Sequence, residues 1–139
     1  MTQGLWINLP VKELGKSKEF FKAMGFKFNE QFGGDSKESA CLEVGEKPSV
    51  IMLFADSTFE NLVGNQIADT QIGTEVLLSI DARSRQEVDE MASKAEAAGG
   101  TTYAAPSEID GWMYGCGFTD LDGHRWNVLY MDMDKIPNR

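Results

Sequence analysis

A strand, a helix and three further strands are legible near the start of the chain, and the same order recurs after a connecting stretch. Leu5 to Leu9 is a short apolar run closed by Pro10, with Leu5, Ile7 and Leu9 on one side and Trp6 and Asn8 on the other. Val11 to Met24 reads as a helix, because Leu14, Phe20, Phe21 and Met24 form one apolar stripe and Gly25 follows. Strands are expected over Phe26–Gln31, Glu38–Val44 and Ser49–Phe54, with turns at Gly33-Gly34-Asp35 and Gly45-Glu46-Lys47-Pro48. One helical turn is expected around Phe59 to Val63. The second round runs through a strand at Thr74–Ile80, a helix at Ser84–Ala98, and strands at Thr101–Ala104, Trp112–Phe118 and Arg125–Met131. In that helix Glu90 and Lys94 stand four residues apart, the spacing of a surface ion pair.

A four-stranded βαβββ unit cannot bury both faces of its sheet, so two such units should associate. The expected fold is α+β: two paired βαβββ modules forming a curved mixed sheet, helices on the convex side and a cleft on the other. The modules span about 4–56 and 73–132, joined by a linker over 57–72, within one domain of 1–139. Matching the first strands sets Trp6 opposite Glu75, an offset of 69 residues; matching the last strands sets Met52 opposite Asn127, an offset of 75.

Composition removes several functions. With 13 basic residues against 22 acidic ones the net charge is −9, which argues against nucleic acid and against an anionic membrane surface. No apolar run reaches the ~20 residues of a membrane span, and no secretion signal pattern opens the sequence. One histidine, His124, excludes any site needing two imidazole ligands. Gly33-Gly34 and Gly99-Gly100 lack the spacing of a phosphate-binding loop. Cys41 and Cys116 read as reduced, buried thiols, which fits a cytoplasmic protein.

Three stretches carry a resemblance: Val11-Lys12-Glu13-Leu14 after the first strand, Phe20-Phe21-Lys22-Ala23-Met24-Gly25-Phe26, and Asp120-Leu121-Asp122-Gly123-His124-Arg125-Trp126. Together with the paired modules they resemble the vicinal oxygen chelate superfamily, which includes glyoxalase I (lactoylglutathione lyase), bleomycin-resistance proteins and extradiol dioxygenases. In its metal-dependent members, ligands come from the first and last strands of each module. The resemblance places those positions at Trp6, Met52, Glu75 and Asn127. An indole has no lone pair to offer, and a thioether suits a soft ion rather than Zn²⁺, Ni²⁺ or Fe²⁺. A dismantled metal site is therefore expected, with no tightly bound cofactor; a bound divalent metal is the less favoured case.

Each candidate keeps two readings. Glu75 is a solvated strand carboxylate, or else a general base or a counter-charge for a cationic ligand. Trp6 stacks on a ligand or plugs the vacated metal cavity. Trp112 and Tyr114 line the cleft beneath a lid at Pro106–Gly111, or belong to a packed sheet face together with Cys116 and Phe118. Asn8, Met52 and Phe54 complete the expected ligand-binding set. His124 holds the turn or works as an acid-base group. The favoured function is a glyoxalase/bleomycin-resistance-like protein that binds a small organic molecule in an aromatic-lined cleft, with the acidic balance pointing to a cationic ligand. The alternative is a lyase or isomerase of the lactoylglutathione lyase type, with Glu75 as base and Asn127 polarising the oxyanion. A catalytically silent dimeric scaffold is the third reading, and a homodimer is expected throughout.

Overall fold

The structure is a computed structural model that describes residues 1–137. The chain divides into two units, Met1–Asp69 and Thr70–Arg139, each built on a four-stranded mixed sheet. The expected paired βαβββ order is present in both.

In the first unit β1 (Ile7–Val11), β2 (Lys27–Phe28), β3 (Ser39–Val44) and β4 (Ser49–Ala55) form a sheet of order β1-β4-β3-β2. Strand β1 runs parallel to β4, and the other pairs are antiparallel. Helix α1 (Leu14–Ala23) buries Leu14, Ser17, Phe20 and Phe21, with Met24 just past its end, against one face. Leu9, Val11, Leu42, Ile51 and Leu53 complete that core. Pro10 does not close the first strand but lies within it. Strand β1 is a sheet edge, where a residue without N–H leaves no neighbour unpaired. Helix α2 (Asp56–Val63) extends the single turn expected around Phe59 and ends on Gly64 in the left-handed region.

In the second unit β5 (Leu77–Asp81), β6 (Thr101–Ile109), β7 (Met113–Thr119) and β8 (Arg125–Met131) repeat the plan in the order β5-β8-β7-β6. Helix α3 (Arg85–Ala97) begins at Ser84, whose Oγ accepts from the Glu87 N–H at 3.1 Å, a serine cap with an acidic residue in the first turn. Val88, Ala92 and Ala95 face the sheet. Glu90 accepts from Gln86 at 3.0 Å rather than pairing with Lys94. Leu78, Cys116, Phe118, Trp126 and Val128 fill the core under α3, with the Phe118 and Trp126 rings stacked at 5.9 Å.

One segment departs from expectation. Pro106 does not start a lid: β6 continues through it to Ile109, and only Asp110-Gly111 turns. The register shifts between Thr102 and Ala104 and again between Ala104 and Ser107. These irregularities, on an edge strand, accommodate a residue that cannot donate to the ladder.

Candidate functional site

Each sheet has one face under its helix and a far face. Strand register assigns side chains to them, since residues paired across strands share a face. In the first unit Asn8, Met52 and Cys41 form one row of the far face, with Pro10, Phe54 and Ser39 as the next. Asn8 is exposed, while Met52 and Phe54 are half-buried. Trp6 stands just before β1, one alternation step from Asn8, and is 59% exposed. The structure therefore brings together Asn8 and Met52, with Trp6 and Phe54 each about 7 Å along the strands from that row.

In the second unit the matching row is Ser79, Asn127 and Gly117. The Asn127 amide nitrogen donates to Ser79 Oγ at 3.3 Å. Arg125 lies one step along, beside Leu77 and Thr119. Glu75 is exposed and lies before β5, four residues ahead of Ser79, so about 13 Å of extended chain separates it from the row of Asn127. The parallel registers also revise the internal match. If Met52 corresponds to Asn127, then Asn8 corresponds to Ser79, and the residue opposite Trp6 is Leu77 rather than Glu75.

Tyr114 sits on the other side. It pairs with Tyr130 in the row under α3, and its hydroxyl donates to Asp89 Oδ1 at 2.7 Å. The Asp89 carboxylate raises the Tyr114 phenol above its ordinary range. Trp112 precedes β7; its carbonyl accepts from the Asp132 N–H at 2.8 Å. Neither is grouped with Asn127.

The Asp-x-Asp-Gly-His turn is built around Asp120. Its buried carboxylate accepts from the backbone N–H groups of Asp122 and His124, both at 3.0 Å, and from the Trp126 indole N–H at 3.1 Å. Burial pushes the Asp120 carboxyl up, while His124 and the donors around it work against that rise. The turn thus clamps the start of β8 and sets which β8 residues reach the far face. The two cysteines are buried free thiols. Burial raises Cys116 to about 11, and it also raises Cys41, so neither is an activated nucleophile.

Two chemically important residues of the second sheet's far face, Arg125 and Tyr103, were not among the expected set. The Tyr103 ring lies across Gly117, where a Cβ would come within 2.6 Å of a ring carbon, and its hydroxyl donates to the Trp126 carbonyl at 3.3 Å. The Arg125 guanidinium rests 4.2 Å from the Tyr103 ring centroid. Alternation from Asn127 was enough to place Arg125 on this face. The bulges of β6 that aim Tyr103 across Gly117 have no sequence signal.

Donor chemistry on these faces does not fit a divalent transition metal: the paired rows offer amides, a thioether, a buried thiol and a hydroxyl. Among the described residues no three His, Cys, Asp or Glu side chains cluster as a metal set. No helix among them is long and apolar enough to cross a membrane.

Two four-stranded sheets, each in a βαβββ unit, make an α+β fold of the glyoxalase type, and comparison with known proteins agrees. Residues 3–45 match the family described as bleomycin resistance protein-like N-terminal. A hypothetical protein of S. aureus is 32% identical, with a TM-score of 0.83 over 94% of this chain and 95% of that one. A glyoxalase/bleomycin resistance protein/dioxygenase family enzyme from Burkholderia phytofirmans is 22% identical, with a TM-score of 0.76 over 91% and 96%. A fosfomycin resistance protein from Listeria monocytogenes, solved with Mn(II) and a dihydroxypropylphosphonic acid, is 19% identical, with a TM-score of 0.65 over 92% and 90%. No curated protein matches significantly. The chain thus has the fold of the glyoxalase/bleomycin resistance protein/dioxygenase structures, the fold of the vicinal oxygen chelate superfamily.

Proposed function

We propose that this protein binds a small organic molecule on the far face of its first sheet and holds no divalent catalytic metal there. The observation that carries the reading is the row of Asn8 and Met52 with Trp6 beside it. An amide with no hydrogen-bond partner among the described residues stands next to apolar and aromatic side chains left open to solvent. Such a mixture of apolar surface and a few unused polar groups is what a small-molecule site requires. Titrating a panel of aromatic and aliphatic compounds while following tryptophan fluorescence should find saturable quenching that Trp6→Ala abolishes. A panel without any saturable change would refute binding. Stoichiometric Zn²⁺, Ni²⁺ or Fe²⁺ in protein purified from unsupplemented cells would refute the metal-free part.

The exposed apolar side chains Leu5, Trp6, Val76 and Leu77 support a homodimer, to be checked by light scattering after size exclusion. Two free thiols support a reducing, cytoplasmic setting.

A further inference from the structure

The second sheet holds an arginine near tyrosine rings on both of its faces, and the two cases differ in how the charge is met. Under α3, the Arg85 guanidinium lies 5.6 Å from the Tyr114 centroid and 5.5 Å from that of Tyr130. Its Nε donates to Glu108 at 2.9 Å, and the same carboxylate forms an ion pair with it. On the far face, the Arg125 guanidinium lies 4.2 Å from the Tyr103 centroid and has no carboxylate partner and no side-chain hydrogen bond among the described residues. In a chain with 22 acidic residues against 13 basic ones, a half-buried arginine without an acid partner among the described residues is a charge the protein leaves unmatched.

The stack also fixes direction. Tyr103 is held at its hydroxyl end, by the hydroxyl on the Trp126 carbonyl and by Cζ and Cε2 against Gly117. A guanidinium held over that ring meets its charge with π electrons, which accept no conventional hydrogen bond, and so keeps N–H donors for an acceptor. The register partners of Arg125 on this face are Leu77, 52% exposed, on one side and Thr119 on the other, with Asn127 one step along. Glu75, two residues before Leu77, makes no ion pair with Arg125.

We infer that Arg125, oriented by Tyr103, binds the carboxylate of a small organic acid whose apolar body lies along Leu77. This rests on the small-molecule reading above, extends it to the far face of the second sheet, and makes the ligand there anionic, the reverse of what net charge alone indicates. The planar fork of a guanidinium matches a carboxylate through two parallel N–H···O bonds, and lysine cannot reproduce it.

The test is an NMR titration of the full ¹⁵N-labelled chain at low ionic strength with benzoate, benzamide and benzamidine. Benzoate should shift the Arg125 Nε–H signal and the amides of Thr119 and Asn127 saturably. The neutral and cationic isosteres should bind about tenfold or more weakly than benzoate. Arg125→Gln should weaken benzoate about tenfold or more while the amide dispersion is kept, and Arg125→Lys should fall between. Benzamidine or benzamide binding as well as benzoate, or benzoate indifferent to Arg125→Gln, would overturn the carboxylate assignment while leaving small-molecule binding intact. If no probe moves these residues, the assignment falls, and the Trp6 fluorescence titration decides the wider reading separately.

Discussion

The two faces of the second sheet are made from the same four strands and carry similar residue types, yet one is chemically closed and the other is open. Under α3 the Trp126 indole N–H meets Asp120, the Tyr114 hydroxyl meets Asp89 and Arg85 meets Glu108. On the far face Arg125 has only the flank of a ring, and Leu77 is more than half exposed. Polar groups that satisfy one another hold a structure together; donors left over beside exposed apolar surface are what a ligand can use.

The sharpest way to break this contrast is on the closed face. Trp126→Ala removes a fully buried ring and leaves the Asp120 carboxylate without its indole donor. It should cost about 4 kcal/mol of unfolding free energy by urea denaturation. Closure also has a pH signature. The Cys116 thiol, about 11 when folded and ordinary when unfolded, keeps its proton in the native state after the unfolded chain has lost it. The Cys116 contribution should be level well below pH 9 and then cost about 2 kcal/mol of stability as pH rises from 9 to 11. Cys116→Ser should flatten that slope, whatever its offset at neutral pH.

On the open face, Gly117→Ala places a methyl group against the Tyr103 ring, which must swing away. We expect a loss of about 1–2 kcal/mol together with weaker benzoate binding, because the Arg125 stack loses its platform. Ser84→Ala removes the α3 cap and should cost about 1 kcal/mol with no change in binding. The smallest effect belongs to Arg85→Gln, an exposed pair: a slight drop in melting temperature and benzoate affinity unchanged. If it weakened benzoate as Arg125→Gln does, the division between the faces would be lost.

Much of the architecture was legible because periodicity reports burial. The stripe of Leu14, Phe20, Phe21 and Met24 is buried as read, and the alternation of Cys116 and Phe118 against Gly115 and Gly117 holds. Both errors at Pro10 and Pro106 share a cause. Proline reads as a stop, but both residues fall on edge strands, and edge position is a property of the sheet rather than of the segment. The candidate site was legible in part. Asn8, Met52 and Asn127 lie on far faces, whereas Tyr114 lies under α3 beside Asp89 and Arg85. Glu75 falls outside β5 because the run Thr74 to Val76 does not join the ladder with β8.

By itself, the sequence determined the doubled βαβββ order, the apolar stripes, the net negative charge and the absence of a second histidine, since each depends on residue identity and local spacing. Tertiary structure alone decided which residues share a row, which charge has a partner and which does not. Register and bulges are settled between strands distant in the chain, and a displacement of one residue sends every side chain to the opposite face. That is why a chain acidic in total can present, at Arg125, a single positive group awaiting an acid.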